Sequence, residues 1–271
     1  MSEIKKVSII GCGWMGLPLA EALVENGYAV KGSTTHQAKV EAIQKAGIQP
    51  FVLNLNPNLE GENQDEFFNA DVLIINIPPK IAMNGLDFHE KQISSLLPFI
   101  EKSSIQKVIF TSSTSVYPAL NRVVVEEDAN ETAHPVLMKA EVVLKNSTQE
   151  LVILRLAGLM GYDRMPAKYF AGKKGLTIGE IPVNYVHQDD VVAIILKAIQ
   201  QNLGAGIYNV VAPEHPIRKA IYFKNCVDFK LERPEFVAAE PQSFKVVNGN
   251  KLMQVLDYQY VYPNPLDFKY T

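Results

Sequence analysis

Only two cysteines, Cys12 and Cys226, occur in 271 residues. Two cannot build a disulfide framework and their separation is not that of a metal site, so both are expected as small buried side chains in a reducing compartment such as the cytoplasm. No apolar run approaches the roughly 18 residues of a membrane-spanning helix, which excludes an integral membrane protein of that kind. There is no basic excess either: 26 lysines and arginines stand against 29 aspartates and glutamates, a formal net charge of −3. Nucleic acid is therefore not an expected partner. Internal repeats and low-complexity tracts are absent. With 47% hydrophobic and 20% charged residues the chain is rich enough in apolar surface to bury a large core, and disorder is excluded.

What the chain does have is concentrated near its start. In Lys5-Lys6-Val7-Ser8-Ile9-Ile10-Gly11-Cys12-Gly13-Trp14-Met15-Gly16 an apolar, β-branched run enters three glycines spaced GxGxxG, and Leu17, Leu19, Ala20, Leu23 and Val24 follow at helical spacing. The pattern is strand, tight turn, helix. Gly11 makes the turn, Gly13 lets a pyrophosphate approach the backbone with Trp14 and Met15 beside it, and Gly16 lets helix and strand pack closely. Lysines before a short apolar stretch and Cys12 also suggest a secretion signal with a lipid-attachment cysteine, but four apolar residues fall short of the roughly 7–15 such a signal needs. The segment is therefore read as part of the fold.

Tyr28 to Ser33 reads as the second strand. In NAD sites an acidic residue about 20 positions past the glycines takes the ribose 2′-hydroxyl. Ser33-Thr34-Thr35-His36 contains no carboxylate, and hydroxyls with His36 and Lys39 nearby suit a 2′-phosphate, which favours NADP over NAD. The same residues also suit an ordinary turn and helix cap. A helix over 37–46, a short strand over 50–54 and a polar connection follow. The run Asp71 to Ile77 reads as a parallel strand buried on both faces and stopped by Pro78-Pro79, with Asn76, Ile77 and Pro78 placed to line a cofactor. Ile93, Leu96, Leu97 and Ile100 give the next helix its buried stripe, and Lys107 to Thr111 the next strand. Alternation of strands and helices over residues 4–156 implies a doubly wound parallel sheet of Rossmann type. The expected division is a dinucleotide-binding domain over 1–163, to which 183–212 return, and a small C-terminal substrate lobe built from the discontinuous segments 164–182 and 213–271.

Thr111-Ser112-Ser113-Thr114-Ser115-Val116-Tyr117-Pro118 resembles the SSxxVYG stretch of the extended short-chain dehydrogenases/reductases, the NAD-dependent epimerase/dehydratase family. Leu154-Arg155-Leu156-Ala157-Gly158-Leu159-Met160-Gly161 is similar to its LRxxxxYG segment, and Tyr185-Val186-His187-Gln188-Asp189-Asp190-Val191 to its IHVDDVA segment. Ile207 to Val211 resembles its late YNVV strand, and Asn250-Lys251-Leu252, Tyr258 and Tyr262-Pro263 its closing stretch. The resemblance implies a catalytic serine, tyrosine and lysine, the tyrosine passing a proton while nicotinamide carries the hydride. It implies that Ser113 is the serine, that Lys139 is the lysine and also binds the nicotinamide ribose, and that Thr111, Ser112, Leu156 and Ala157 line the cofactor. Ser113, Tyr117, Tyr162 and Arg164 are the substrate candidates.

The tyrosine is missing. The family's YxxxK falls on Pro135-Val136-Leu137-Met138-Lys139, and no tyrosine lies between Tyr117 and Tyr162. Proline has no titratable group and suits the first turn of a helix. His134 has the pKa range of a substitute acid or base, and equally that of a solvated residue at a helix start. Members with the glycine motif kept and this tyrosine lost form the atypical branch of the superfamily. Arg155 is expected to brace the fold; His187 and Asp189 resemble a pair that orients a loop, and no metal is expected. Arg164 and Lys168 suit an anionic substrate group or a solvated helix face.

Three functions fit. The first is an NADP-binding oxidoreductase or epimerase acting on a carbonyl or nucleotide-sugar-like small molecule, its tyrosine-dependent chemistry altered or lost. The second is a non-catalytic, NADP(H)-responsive binding protein. The third is a β-hydroxyacid-type dehydrogenase, whose start GCGWMGLPLAEALVENGYAV also resembles, though that family's later GxxGxGxxxK helix is absent. A homodimer is implied by family habit, with residues 93–100 and 136–144 as candidate faces; both stripes also suit the core.

Overall fold

The computed structural model describes residues 4–79, 81–146 and 149–271. Its elements are strand β1 (Lys6–Ile10), helix α1 (Gly16–Glu25), β2 (Ala29–Thr34), α2 (Val40–Lys45), β3 (Gln49–Leu55), β4 (Leu59–Gly61), α3 (Gln64–Phe68), β5 (Val72–Ile75), α4 (Ile81–Asn84), α5 (Phe88–Ser94), α6 (Leu97–Lys102) and β6 (Lys107–Ser113). There follow β7 (Arg122–Val124), α7 (Pro135–Lys145), β8 (Glu150–Leu156), β9 (Gly158–Met160), β10 (Tyr185–His187), α8 (Gln188–Gln200), β11 (Gly206–Val210), α9 (Arg218–Asp228), β12 (Lys245–Val247) and α10 (Asn250–Leu256).

Eight strands form one sheet in the order β11-β8-β6-β5-β1-β2-β3-β4. β1 pairs in parallel with both β2 and β5, and the parallel pairing continues from β2 to β3 and from β5 to β6. The fold is thus α/β and of Rossmann type, as the alternation predicts. The strand order reverses between β1 and β5, which is where such sheets open a crevice beyond the carboxyl ends of their strands. β5 reads Val-Leu-Ile-Ile and is wholly buried, because helices cover both faces of a parallel sheet.

Two departures have clear causes. The single helix expected around residues 93–100 is two, α5 and α6, since Pro98 has no N–H with which to continue the helical ladder; Leu96 N–H turns back to Ile93 O (3.1 Å). The polar connection after β3 holds an antiparallel edge strand, β4, whose Gly61 sits at φ 133°, where a Cβ would meet Val52 O at 2.4 Å. The stripes proposed as dimer faces, Ile93, Leu96 and Ile100 with Val136, Ala140 and Leu144, lie in the chain's own core.

The chain divides into two compact units. The first comprises residues up to Val116, Asn130–Arg155 and Val192–Ile207; the second is Tyr117–Ala129, Leu156–Val191 and Tyr208–Thr271. The second is therefore larger than the expected lobe, taking in 117–129, 156–163, 183–191 and 208–212 as well. It is framed by two short parallel pairs, β9 with β10 and β7 with β12. Asp190, fully buried, accepts hydrogen bonds from the Tyr258 hydroxyl (2.7 Å) and from the N–H groups of Val261 (2.7 Å) and Tyr262 (3.1 Å), and so pins the closing segment.

Within the first unit His89 is fully buried on α5. The Gln92 amide nitrogen donates to Leu55 O (2.7 Å), which leaves its oxygen to accept from His89 Nδ1 (3.3 Å); His89 Nε2 then has no partner among the described residues. Burial lowers the His89 pKa from its ordinary 6.5, so the unfolded chain binds the proton more readily than the folded one. Stability is present above 6.5 and is lost as pH falls from there toward the lowered folded-state value. His89→Leu should flatten this acid limb in urea titrations across pH; an unchanged slope would exclude His89 as its source.

Candidate functional site

The three glycines have three different surroundings. Gly11, at φ 100°, leaves room for no side chain: a Cβ there would lie 2.2 Å from Asn76 O. A Cβ at Gly16 would lie 2.1 Å from Gly11 O, so loop and helix touch through this position. Around Gly13 a Cβ would meet nothing within 4 Å, and the residue is exposed. Two glycines close the turn and the middle one faces open space at the amino end of α1, the arrangement that admits a pyrophosphate to the backbone and the helix dipole. Trp14 is partly exposed; Met15 is buried in the core, which leaves only its backbone to a ligand.

The loop is held from two neighbouring strands. Gly11 N–H donates to the Ser33 hydroxyl (3.0 Å) at the end of β2, and Cys12 N–H to Ser33 O (2.9 Å). The Asn76 amide, just past β5, donates to Gly11 O (3.1 Å), while its oxygen accepts from the Thr111 hydroxyl (3.1 Å) near the end of β6. Ser33, Asn76 and Thr111 thus come together around the glycines as a scaffold. Thr34 is buried and its hydroxyl accepts from His36 N–H (3.2 Å). Thr35, His36 and Lys39 are exposed. Ile77 is half-buried and Pro78 exposed, whereas Leu156 and Ala157 are buried. Cys12 is buried against Gly32, and burial pushes its thiol up to about 12, so it is not a reactive thiolate.

Ser112 is turned away from the strand end into the interior. Its hydroxyl donates to Glu141 Oε1 (2.7 Å), and Arg155 meets the same carboxylate through Nε (3.0 Å) and Nη2 (2.7 Å), all three residues being buried. Glu141 was not singled out by motif. Its position with Leu137 and Leu144 on the buried stripe of α7 was the available signal, as was Arg155 at the centre of an apolar strand. Ser113 lies at the strand end, its hydroxyl accepting from Ser115 N–H (3.1 Å).

At the start of α7, Pro135 occupies the first turn, exposed, and His134 caps the helix, Nδ1 accepting from Leu137 N–H (3.3 Å). Lys139 projects to α5, where Asp87 (3.0 Å) and Glu90 (3.4 Å) hold its ammonium; these carboxylates raise its pKa. No aromatic hydroxyl stands on α7 in place of the tyrosine.

In the second unit Tyr117 is buried and donates to Asn209 Oδ1 (2.6 Å), a packing role. Tyr162, at φ 51°, donates to Asp189 Oδ1 (2.8 Å), which pushes its phenol up to about 12. His187 is buried in an aromatic box with Tyr162, Tyr262 and Phe268; Nδ1 accepts from Asp189 N–H (3.2 Å), leaving Nε2 to donate to Lys269 O (3.2 Å). Gly161 is required beside it, because a Cβ there would lie 2.6 Å from Nε2. Arg164 is half-buried and pairs through its backbone with Gly161.

Residues 6–138 match the model of the NAD binding domain of 6-phosphogluconate dehydrogenase. The fold is similar to that of UDP-glucuronic acid 4-epimerase from Bacillus cereus, solved in complex with UDP-glucuronic acid and NAD, at a TM-score of 0.77 and 19% identity over 97% of this chain and 96% of that one. It is likewise similar to a short-chain dehydrogenase/reductase superfamily protein from Agrobacterium tumefaciens with bound NAD, at a TM-score of 0.73 and 15% identity over 95% and 93%. At full length, Protein YeeZ of Escherichia coli strain K12 is 37% identical over 270 residues, 97% of this chain and 98% of that protein. The glycine turn, the reversal between β1 and β5 and this end-to-end similarity together place the chain in the YeeZ protein family, built on a Rossmann-type NAD-binding domain.

Proposed function

We propose that the protein binds NADP(H) at the β1/β5 reversal and acts on a carbonyl or nucleotide-sugar-like small molecule by chemistry that does not use the family's tyrosine. The observation that carries this reading is Gly13: it stands open in a loop that Ser33 and Asn76 hydrogen-bond at Gly11, so the backbone is accessible to a pyrophosphate. NADP is preferred over NAD because Ser33 to His36 offer the 2′-position no carboxylate, while exposed Thr35, His36 and Lys39 suit a phosphate. When bound, the nicotinamide would supply hydride chemistry. The chain's own part would be to bind the pyrophosphate on the α1 amino end and to offer the Ser113 hydroxyl to a substrate oxygen.

The state of α7 favours a second reading, a cofactor-responsive binding protein without turnover. Pro135 donates no proton, His134 is engaged as a cap, and Lys139 is held by Asp87 and Glu90. Thermal unfolding tests binding: NADPH at a hundredfold excess over Kd should add about 2.7 kcal/mol of apparent stability, more than NADH at the same concentration. No stabilisation by either nucleotide would remove the central reading. NADPH oxidation against aldehydes, ketones and nucleotide sugars then separates the two functions, with steady absorbance despite binding favouring the second.

A further inference from the structure

The strand ends opposite the glycine loop border a cavity of their own. It holds about 880 Å³ and lies within the first unit, where β1, β2, β5, β6 and β8 begin. Sheets of this kind bind nucleotides beyond the carboxyl ends of their strands, so the cavity stands apart from the proposed cofactor site. Its volume falls in the range of small-molecule sites, roughly 300–1,000 Å³.

The charges around it cancel. Taken across the sheet in the order β8-β6-β5-β1, the lining residues at or just before the strand starts are Glu150, Lys107, Asp71 and Lys5, alternating in sign. Neighbouring strands lie about 4.8 Å apart, so each charge stands beside its opposite and about 10 Å from its like. Lys107, whose side chain is 2% exposed, is fully engaged: Nζ donates to Asn202 Oδ1 (2.6 Å) and Leu203 O (2.6 Å) and stands 3.5 Å from Glu150 Oε2. The groups left unused are acceptors. Asp71 Oδ2 accepts from the N–H groups of Lys5 and Lys6 (both 2.8 Å), while among the described residues nothing donates to Asp71 Oδ1. Glu150 Oε1 accepts from Ala205 N–H (2.9 Å), and Oε2 has only the long contact with Lys107. Gln200 Nε2 donates to Asn26 Oδ1 (3.2 Å), which leaves the Gln200 oxygen without a donor among the described residues.

A ligand that matches this lining carries no net charge, because either sign would upset the balance in a recess floored by a buried ammonium. It brings several O–H donors to the unused oxygens, and Ile4, Tyr28 and Ile199 meet its carbon skeleton. A polyol satisfies all of these demands. We infer that the cavity is a binding site for a neutral, polyhydroxylated molecule of mono- or disaccharide size. The site stands independently of the NADP(H) reading.

Titration of the ¹⁵N-labelled full chain with D-glucose and with maltose, followed by amide chemical shifts, tests it. Saturable shifts at Lys5, Tyr28, Asp71 and Lys107 are expected with at least one sugar. Succinate and spermidine at the same ionic strength are charged probes and should leave these amides unmoved. Asp71→Asn keeps one oxygen for the Lys5 and Lys6 N–H groups and turns the free acceptor into a donor, so affinity should fall about tenfold. Gln200→Met removes a neutral acceptor and should cost a few-fold. The site is overturned by the absence of saturable shifts with either sugar, by shifts confined to other parts of the chain, by an equal response to a charged probe, or by undiminished affinity in Asp71→Asn. Should Asp71→Asn fail to fold, undiminished affinity in Gln200→Met does the same.

Discussion

Gly13→Ala should fold as stably as the parent chain and lose about tenfold or more in NADPH affinity, whereas Gly16→Ala should lose stability itself. The two glycines stand three residues apart in one loop, yet their surroundings differ in kind. A methyl at Gly13 meets no atom within 4 Å, and its backbone does not occupy the left-handed region. Its effect on unfolding should stay within about 0.5 kcal/mol, as for a surface position. The methyl would, however, stand where the pyrophosphate has to approach. At Gly16 the added carbon would lie 2.1 Å from Gly11 O and 3.1 Å from the Asn76 amide nitrogen, so helix and loop must separate, at a cost of about 1–3 kcal/mol. Urea unfolding and NADPH titration of both variants provide the check. Parent-like affinity in Gly13→Ala would show that no phosphate lies over that residue.

The largest loss of stability is expected at Arg155. Arg155→Met leaves the Glu141 carboxylate buried without its guanidinium, with only the Ser112 hydroxyl on it, and removing one partner of such a pair costs about 3–5 kcal/mol. Combining Arg155→Met with Glu141→Leu should recover most of that, because an apolar pair of similar size needs no solvation. Lys139→Met, which breaks an ion pair standing in solvent, should cause no comparable loss. A double-mutant cycle in urea reads the coupling directly. Equal losses in the single and double variants would mean that packing, not charge, holds this corner.

How far the sequence reaches is visible in these same residues. The glycine turn and β5 were legible because their causes are local: a turn that excludes side chains, and a run of β-branched residues with a proline at its end. The break at Pro98 was legible in principle, since the missing N–H is a property of that residue alone, but a continuous apolar stripe masked it. Lys139 was not legible. Its partners, Asp87 and Glu90, lie about 50 positions earlier, and only the packing of α5 on α7 joins them. Ser112 and Ser113 are adjacent in a single motif, and the alternation of a strand sends one to Glu141 and leaves the other at the strand end. The motif names both residues without saying which faces inward. Asp190 shows the same limit: its neighbour Asp189 belongs to a familiar His-x-Asp pattern, yet Asp190 is the carboxylate that anchors residues 258–262.

The hydrogen bond from Gly11 N–H to the Ser33 hydroxyl governs how cofactor preference can be rewritten. On the proposed NADP(H) reading, exchanging NADPH for NADH calls for a carboxylate at the end of β2, where Ser33 stands. Yet Ser33 is the post to which the phosphate loop is tied, and it is buried. A carboxylate at that position would change the loop's own geometry along with the ribose contact, so a gain in selectivity would arrive with a loss of affinity for both nucleotides. Thr35, two residues on and exposed, is the place where preference and architecture come apart.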